Sequence, residues 1–274
     1  MVAELSQVLT LLTLRVKEYF GSIRISRTSL LVLLGMELSI FVMGVGLGYI
    51  YVRGGVEYAG VYIDLKLILA SILSFTTLFL SFYGSINGVG GSPTDISYVA
   101  TSPIKPYQYL IADLFFQIVM INTFFMAAII SATLYLYLSN IQGFYLFALI
   151  LEVHLFFSVM ISQFLGALRA AGKRVLRLAS TTLIITICLF PAVEIIGGDL
   201  GIVKLLSPAY QATALILGSV IPHGAIYLLH FMIVLLLYLW AMQVNIYVDL
   251  TPTIIGFAPI SYTPQLERYR RFAR

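Results

Sequence analysis

Charged residues are scarce in this sequence. Lys, Arg, Asp and Glu make up 10% of the 274 residues, whereas hydrophobic residues make up 60%. Because a soluble globular domain carries about 25% charged residues, the composition excludes that class and indicates an integral membrane protein. The single cysteine, Cys188, excludes an internal disulfide, and its place in an apolar run favours a small buried residue.

Motifs for chemistry are also missing. The sequence has no Gly-x-x-x-x-Gly-Lys-Ser/Thr loop, and its glycine cluster NGVGGSPT lacks the lysine, so ATP hydrolysis by this chain is not expected. His154, His223 and His230 lack the spacing of metal ligands, and no serine occupies a nucleophile-elbow motif. We therefore expect no catalytic residue, metal or cofactor site in this chain.

Six apolar runs reach the length of about 20 residues that a helix needs to cross a membrane. They comprise approximately residues 28–50, 66–89, 108–138, 144–168, 177–197 and 224–247. A seventh run is interrupted by Pro208 and bounded by Pro222, so we expect a re-entrant segment at 203–222 before the last span. The predicted fold class is an all-α integral membrane protein with six transmembrane helices in one domain, 28–248.

The opening residues, 1–27, predict a helix that lies on the membrane surface. Their apolar positions recur every three or four residues, but Glu4, Arg15, Lys17 and Glu18 make the stretch too polar to span. For the same reason it is not expected to be a cleavable signal. Residues 249–274 contain three prolines and four arginines and predict a basic, largely extended tail.

The basic residues predict the orientation. If the N-terminus is cytoplasmic, thirteen of the sixteen Lys and Arg residues fall in cytoplasmic segments, and only Arg53, Lys66 and Lys204 fall outside. Since cytoplasmic loops carry the excess of basic residues, we expect a multi-pass protein of the cell membrane with both termini in the cytoplasm. The positive net charge then follows from topology, and no nucleic-acid partner is required.

One polar segment between the second and third spans starts and stops like a short helix. Ser92 is a favourable N-cap residue, Pro93 is favourable at the first helical position, and Asp95 is favourable in the first turn. Pro103 disfavours helical geometry at the residue before it, so the helix should end there. A helix of about two turns over 93–101 is expected. Its apolar residues Ile96, Tyr98 and Val99 either insert among lipid headgroups or bind in a groove of a cytoplasmic protein. The well-defined helix ends favour the protein contact.

These features together resemble the permease subunits of type-2 ABC exporters. The similarity includes the surface helix, six spans, the turn Ser102-Pro103-Ile104 with the helix restart Tyr109-Leu110-Ile111, and the stretch LLSPAYQATALILG before the last span. Many members have an acid-Gly-Thr before the coupling helix, where this sequence has Pro93-Thr94-Asp95. The resemblance covers nearly the whole chain.

The resemblance implies that ATP hydrolysis and the transport pathway belong to different subunits. A separate cytoplasmic ATPase subunit would bind ATP and magnesium and would receive the coupling helix 93–101, through Pro93, Asp95, Ile96, Tyr98, Val99 and Thr101. A second permease chain, identical or different, would complete the pathway through the membrane. The transported substrate is not indicated by the sequence.

Acidic residues inside the spans are candidates for function because an ionised carboxylate at mid-membrane costs at least about 2.5–3.5 kcal/mol. Glu37 lies about ten residues into the first span and Glu152 about nine into the fourth. Each either binds neighbouring helices together or contacts cargo or protons, and the resemblance favours Glu37 as the pathway residue. His154 is about 200° from Glu152 around the helix, so the two need different partners.

Two further polar positions have structural or gating interpretations. Asp113 and Gln117 are four residues apart and share a helix face, which favours packing near the coupling segment. Glu194 follows Pro191 near the end of the fifth span, where a proline permits bending. It is interpreted either as a kink with an acid that reaches the membrane surface or as the hinge of an outer gate.

Two other functions stay open. An ion-gradient-driven carrier would use Glu37 and Glu152 as coupling acids but would have broken spans at matching positions in two halves, and no such halves are found. A membrane scaffold or immunity-type protein would only recruit a cytoplasmic partner.

Overall fold

The computed structural model of the protein describes residues 2–25, 27–58, 61–87, 106–170, 173–198 and 200–244. The predicted coupling helix at 93–101 and tail at 249–274 lie outside these residues, so both stay predictions.

The described residues form nine α-helices, one 3₁₀ helix and one β-hairpin. In chain order these are α1 (Val2–Ile25), α2 (Arg27–Arg53), β1 (Gly55–Tyr58), β2 (Val61–Asp64), α3 (Leu65–Asn87), α4 (Pro106–Leu138), α5 (Phe144–Ala170), α6 (Arg174–Cys188), α7 (Phe190–Ile195), the 3₁₀ helix (Gly201–Leu206), α8 (Pro208–Ile216) and α9 (His223–Val244).

In the described part of the chain, six helical segments are long and apolar enough to cross a membrane: α2, α3, α4, α5, α6 with α7, and α9. The prediction of a mostly helical fold with six helices of membrane-spanning length is therefore confirmed. The bundle has two ends, which we call the α1 end, where α1 lies beside the start of α4, and the hairpin end, where β1 and β2 connect α2 to α3.

The strands depart from the all-α prediction. β1 and β2 pair antiparallel, with Gly55 opposite Asp64 and Tyr58 opposite Val61. The sequence did not predict them because each strand has only four residues and lies directly between two long apolar runs. The first connection between spans thus contains two paired strands.

The fifth span differs from its prediction in its bounds and its continuity. It begins at Arg174, and a turn at Leu189 separates α6 from α7. The interruption is expected two residues before Pro191, since proline provides no backbone N–H for the helical ladder. The region predicted as re-entrant, 203–222, contains most of the 3₁₀ helix and all of α8, and seven of the nine α8 residues are buried.

The centre of the bundle consists of α3 and α5, which pack along each other. In their most apolar windows 44% of the residues are buried, compared with 6% in α2. α4, α8 and α9 surround α5, α6 packs on α3, and α2 lies at the periphery against α4. The core therefore forms around α5, and α2 presents most of its surface outward.

The contact of α2 with α4 depends on two glycines. A Cβ atom at Gly44 would overlap the Ser131 hydroxyl and the backbone of Ala128, whose Cα would lie only 2.6 Å away, and one at Gly48 would lie 2.9 Å from Cβ of Tyr135. The Ser131 hydroxyl also donates a hydrogen bond to the carbonyl of Phe41 at 2.8 Å. Glycines four residues apart allow two backbones in a membrane to approach closely, and here they bring α2 and α4 together in parallel.

This contact predicts opposite effects for two nearby glycines. We expect Gly44→Ala to destabilise the protein by about 1–3 kcal/mol, because an extra methyl group overpacks a close contact. At Gly46 a Cβ would have no atom within 4 Å, so Gly46→Ala should be neutral or stabilising, since alanine is the better helix former. Thermal unfolding of both variants in one detergent is the measurement, and equal melting temperatures would contradict the close packing of α2 on α4.

Candidate functional site: polar clusters within the bundle

Four groups of polar side chains lie inside the described bundle, and they contain most of the polar residues that the sequence singled out. One is near the α1 end, two are in the spans, and one is at the hairpin end. Among the described residues no group of three or more His, Cys, Asp or Glu side chains could hold a metal ion.

The first group surrounds Asp113, which is 1% exposed. Its carboxylate forms an ion pair with the Arg15 guanidinium of α1 and accepts hydrogen bonds from the side-chain amides of Gln117 and Gln163, both at 2.8 Å. Arg15 also lies over the ring of Phe116, 5.6 Å from its centre. The carboxylate thereby joins α1, α4 and α5, and its buried charge is compensated by one cation and two amide donors.

Arg15 was not predicted as a partner of Asp113, although the sequence contains a clue. Val8, Leu11 and Arg15 follow the spacing of one helix face, and both apolar residues are buried, in a cluster that includes Ala112 of α4. A cation on the apolar face of a surface helix indicates a buried acidic partner, because an unpaired charge there would be costly. Gln163 had no comparable clue.

The second group surrounds His154, which is also 1% exposed. Its Nε2 lies 3.2 Å from the carbonyl of Leu73 and its Nδ1 lies 3.2 Å from the hydroxyl of Tyr227. Because a carbonyl can only accept, Nε2 carries the proton and Nδ1 accepts from Tyr227. The neutral ring therefore connects α5 with α3 and α9.

Two hydroxyl groups complete the His154 group. Ser158 donates to the carbonyl of His154 at 2.8 Å, so the 2.8 Å contact between Thr77 and Ser158 has Thr77 as its donor. The Thr77 oxygen also lies 3.0 Å from Nε2 of His154. With every polar atom of the ring paired, this group acts as a fixed connection between helices.

The third group consists of Asn122 and the mid-span acid Glu152. Nδ2 of Asn122 donates to one carboxylate oxygen of Glu152 at 3.0 Å, while the other Glu152 oxygen and Oδ1 of Asn122 are buried without a hydrogen-bond partner among the described residues. Glu152 and His154 thus have separate partners, as their angular separation requires.

Glu37 lies at a similar depth on α2. It is seven residues before Gly44, so it shares a helix face with a residue at the contact of α2 and α4. Oε1 of Glu37 is buried and has no hydrogen-bond partner in the described part of the chain. Glu37 is therefore the acid in the spans with the least compensation.

The fourth group is at the hairpin end and contains Glu194. Its carboxylate accepts hydrogen bonds from Lys204 of the 3₁₀ helix and from the buried Tyr210 of α8. The nearby Gln211 side chain contacts Nδ1 of His223 at 2.7 Å. Neither Lys204 nor Tyr210 was predicted as a partner, because both lie in the segment whose path the sequence did not define.

The other end of α8 is also anchored. The hydroxyl of Tyr51, at the end of α2, donates to the carbonyl of Ile216 at 3.1 Å. α8 is therefore connected to α7 and α9 near its start and to α2 near its end. Pro191, the other predicted gating residue, is buried in the first turn of α7.

The Asp113 group predicts non-additive effects of substitution. Arg15→Gln should destabilise the protein by about 3–5 kcal/mol, because it leaves a buried carboxylate without its cation. Combining it with Asp113→Asn should cost less than the sum of the two single changes, since the uncompensated charge is then absent. Unfolding of the four proteins in a double-mutant cycle measures the interaction, and additive values would show that the ion pair contributes nothing.

A scan against protein-family models, a search of curated proteins and a search of solved structures each found no match to this chain. The geometry of the bundle and the sequence pattern are therefore the basis for any functional conclusion.

Proposed function

We propose that this chain is the transmembrane permease subunit of an ABC exporter, which moves a substrate out of the cell with ATP hydrolysed by a separate subunit. The main support is the Asp113 group, which joins the surface helix α1 to two spans close to the segment that would receive the ATPase. The chain would pair with a second permease chain, and both of its termini would be cytoplasmic.

The connectivity supports transmission of force from that segment. α3 ends at Asn87 and α4 begins at Pro106, so a push on residues 93–101 would act on both helices. α4 packs on α2, and α3 packs on α5. Movement of one short segment would therefore displace two pairs of spans relative to each other, which is the change that a population shift between inward-open and outward-open states requires.

The hairpin end supplies a candidate gate. The short helix α8 packs against α3, α5 and α9 without crossing the bundle, and it is tied to the end of the fifth span by Glu194. In the proposed orientation this region faces the outside. Displacement of α7 would move α8 through the Glu194 contacts and so change access to the space between the spans.

The proposal predicts that Ile96→Glu, Tyr98→Glu and Val99→Glu together detach the ATPase subunit. Three charges on an apolar contact face would oppose its burial in a protein groove. The measurement is co-purification of an ATPase subunit from native membranes, followed by ATP-dependent transport of co-purified small molecules in vesicles. The variant should insert and unfold like the parent protein but lose the partner.

The matched control places the same three charges at the opposite end of the bundle. Ile196, Ile202 and Ile221 are 84%, 83% and 88% exposed, and their replacement by Glu should leave the ATPase bound. An unchanged complex in the first variant, or loss of the complex in both, would refute the proposed contact.

An ion-gradient-driven carrier is the second candidate, and the unpaired carboxylate oxygen of Glu37 favours it. A partly buried acid with little compensation can bind and release a proton or cation during transport. In that case Glu37→Gln and Glu152→Gln should each abolish transport driven by a pH gradient in vesicles without ATP, while Glu57→Gln, at an exposed acid of β1, serves as the control. ATP-dependent transport that survives Glu37→Gln would exclude the carrier mechanism.

A further inference from the structure

A cavity of about 560 Å³ lies between the first two spans. α2 packs on α4, and α3 packs on α5, so α2 and α3 leave space between them although only the hairpin connects them in the chain. Buried residues of all four helices form its inner wall, among them Gly44, Leu73, Ile129 and Phe147.

The cavity opens sideways, through the faces of the spans. Met43, Phe75 and Phe79 line it and are 73%, 68% and 61% exposed. In a membrane the medium on this side of the spans is the hydrocarbon of the lipid tails. The occupant can therefore enter from the bilayer without passing through water.

The lining offers no free hydrogen-bond donor. Its polar side chains are Ser71, Thr76 and His154. The Ser71 hydroxyl donates to the carbonyl of Leu67 at 2.7 Å and the Thr76 hydroxyl to that of Ile72 at 2.9 Å, and both ring nitrogens of His154 are paired. Because a bound water needs two to four polar partners, water is disfavoured and an apolar occupant is favoured.

We infer that this cavity binds one acyl chain of a membrane lipid. Its volume falls in the range of about 300–1,000 Å³ that is usual for ligand sites. Its α5 wall extends from Phe147 to Leu155, about 12 Å at 1.5 Å per residue. One leaflet supplies about half of the 30 Å hydrocarbon core, so the cavity matches the depth of a single lipid tail.

The position of the cavity places the lipid headgroup at the hairpin end. Phe147 is three residues from the start of α5, and Ser71 is six from the start of α3, and both helices begin at that end. Tyr49 and Tyr145 are exposed there, as is common where spans meet lipid headgroups. This inference does not require an ATPase partner, because it concerns the described spans alone.

The test uses the full chain in bilayers of phosphatidylethanolamine and phosphatidylglycerol, doped with a phospholipid that carries a photoactivatable diazirine midway along one acyl chain. After illumination, mass spectrometry locates the adducts. We expect Ile72, Phe75 and Phe125 to be labelled several-fold more than Leu134 and Ile233, which are similarly exposed but lie outside the cavity. Equal labelling at both sets would mean unspecific contact with bulk lipid and would overturn the inference.

Filling the cavity provides the matched comparison. Ser71→Phe and Thr76→Phe place rings inside it and should reduce labelling of Phe125 several-fold, whereas Ile130→Phe, on an exposed face of α4 outside the cavity, should not. Thermal unfolding shows whether each variant is folded. Unchanged labelling in the folded filled variants would contradict binding inside the cavity.

A second copy of this chain is the competing occupant. The sole cysteine is removed by Cys188→Ser, and Phe75→Cys is introduced at the opening. Efficient disulfide formation between two chains in the bilayer would show that protein covers the opening and would overturn the inference. Chains that form no disulfide at the opening and keep the lipid adducts would support it.

Discussion

The hydrocarbon of a bilayer offers no hydrogen bonds, so polar groups within the spans need partners inside the protein. In this chain α5 meets that constraint with three different neighbours. Gln163 binds Asp113 of α4, Glu152 binds Asn122 of α4, and His154 binds α3 and Tyr227 of α9. These contacts determine the rotation of α5, and the other spans are arranged around it.

α2 is held by a different interaction. Lipid tails are as apolar as the helix surfaces, so spans gain little from apolar burial and depend instead on close packing. Gly44 and Gly48 provide that packing against α4. α2 packs on α4, whereas α3 packs on α5. Because these two helices, which are adjacent in sequence, pack on different partners, a cavity remains between them.

The two ends of the bundle have different roles in the proposed exporter. At the α1 end, the Asp113 group connects α1 with α4 and α5. At the hairpin end, Glu194 connects the end of the fifth span with the short helix α8. Between them, the hydrogen bonds of His154 connect α5 with α3 and α9, which favours movement of whole helices over deformation within them in the proposed mechanism.

The sequence by itself determined the six spans, because apolar length is a local property that lipid selects directly. It also identified Glu152 and His154 as groups that need different partners, and Asp113 and Glu194 as polar positions with a structural or gating role, since the cost of a polar group in hydrocarbon depends little on its neighbours in sequence. Only the tertiary structure decided which partners they have. Arg15 meets Asp113 across 98 positions of the chain, and such contacts depend on helix rotation and packing, which hydropathy does not encode. The hairpin was not predicted because its strands are short. The cavity was not predicted because residues of four helices line it together.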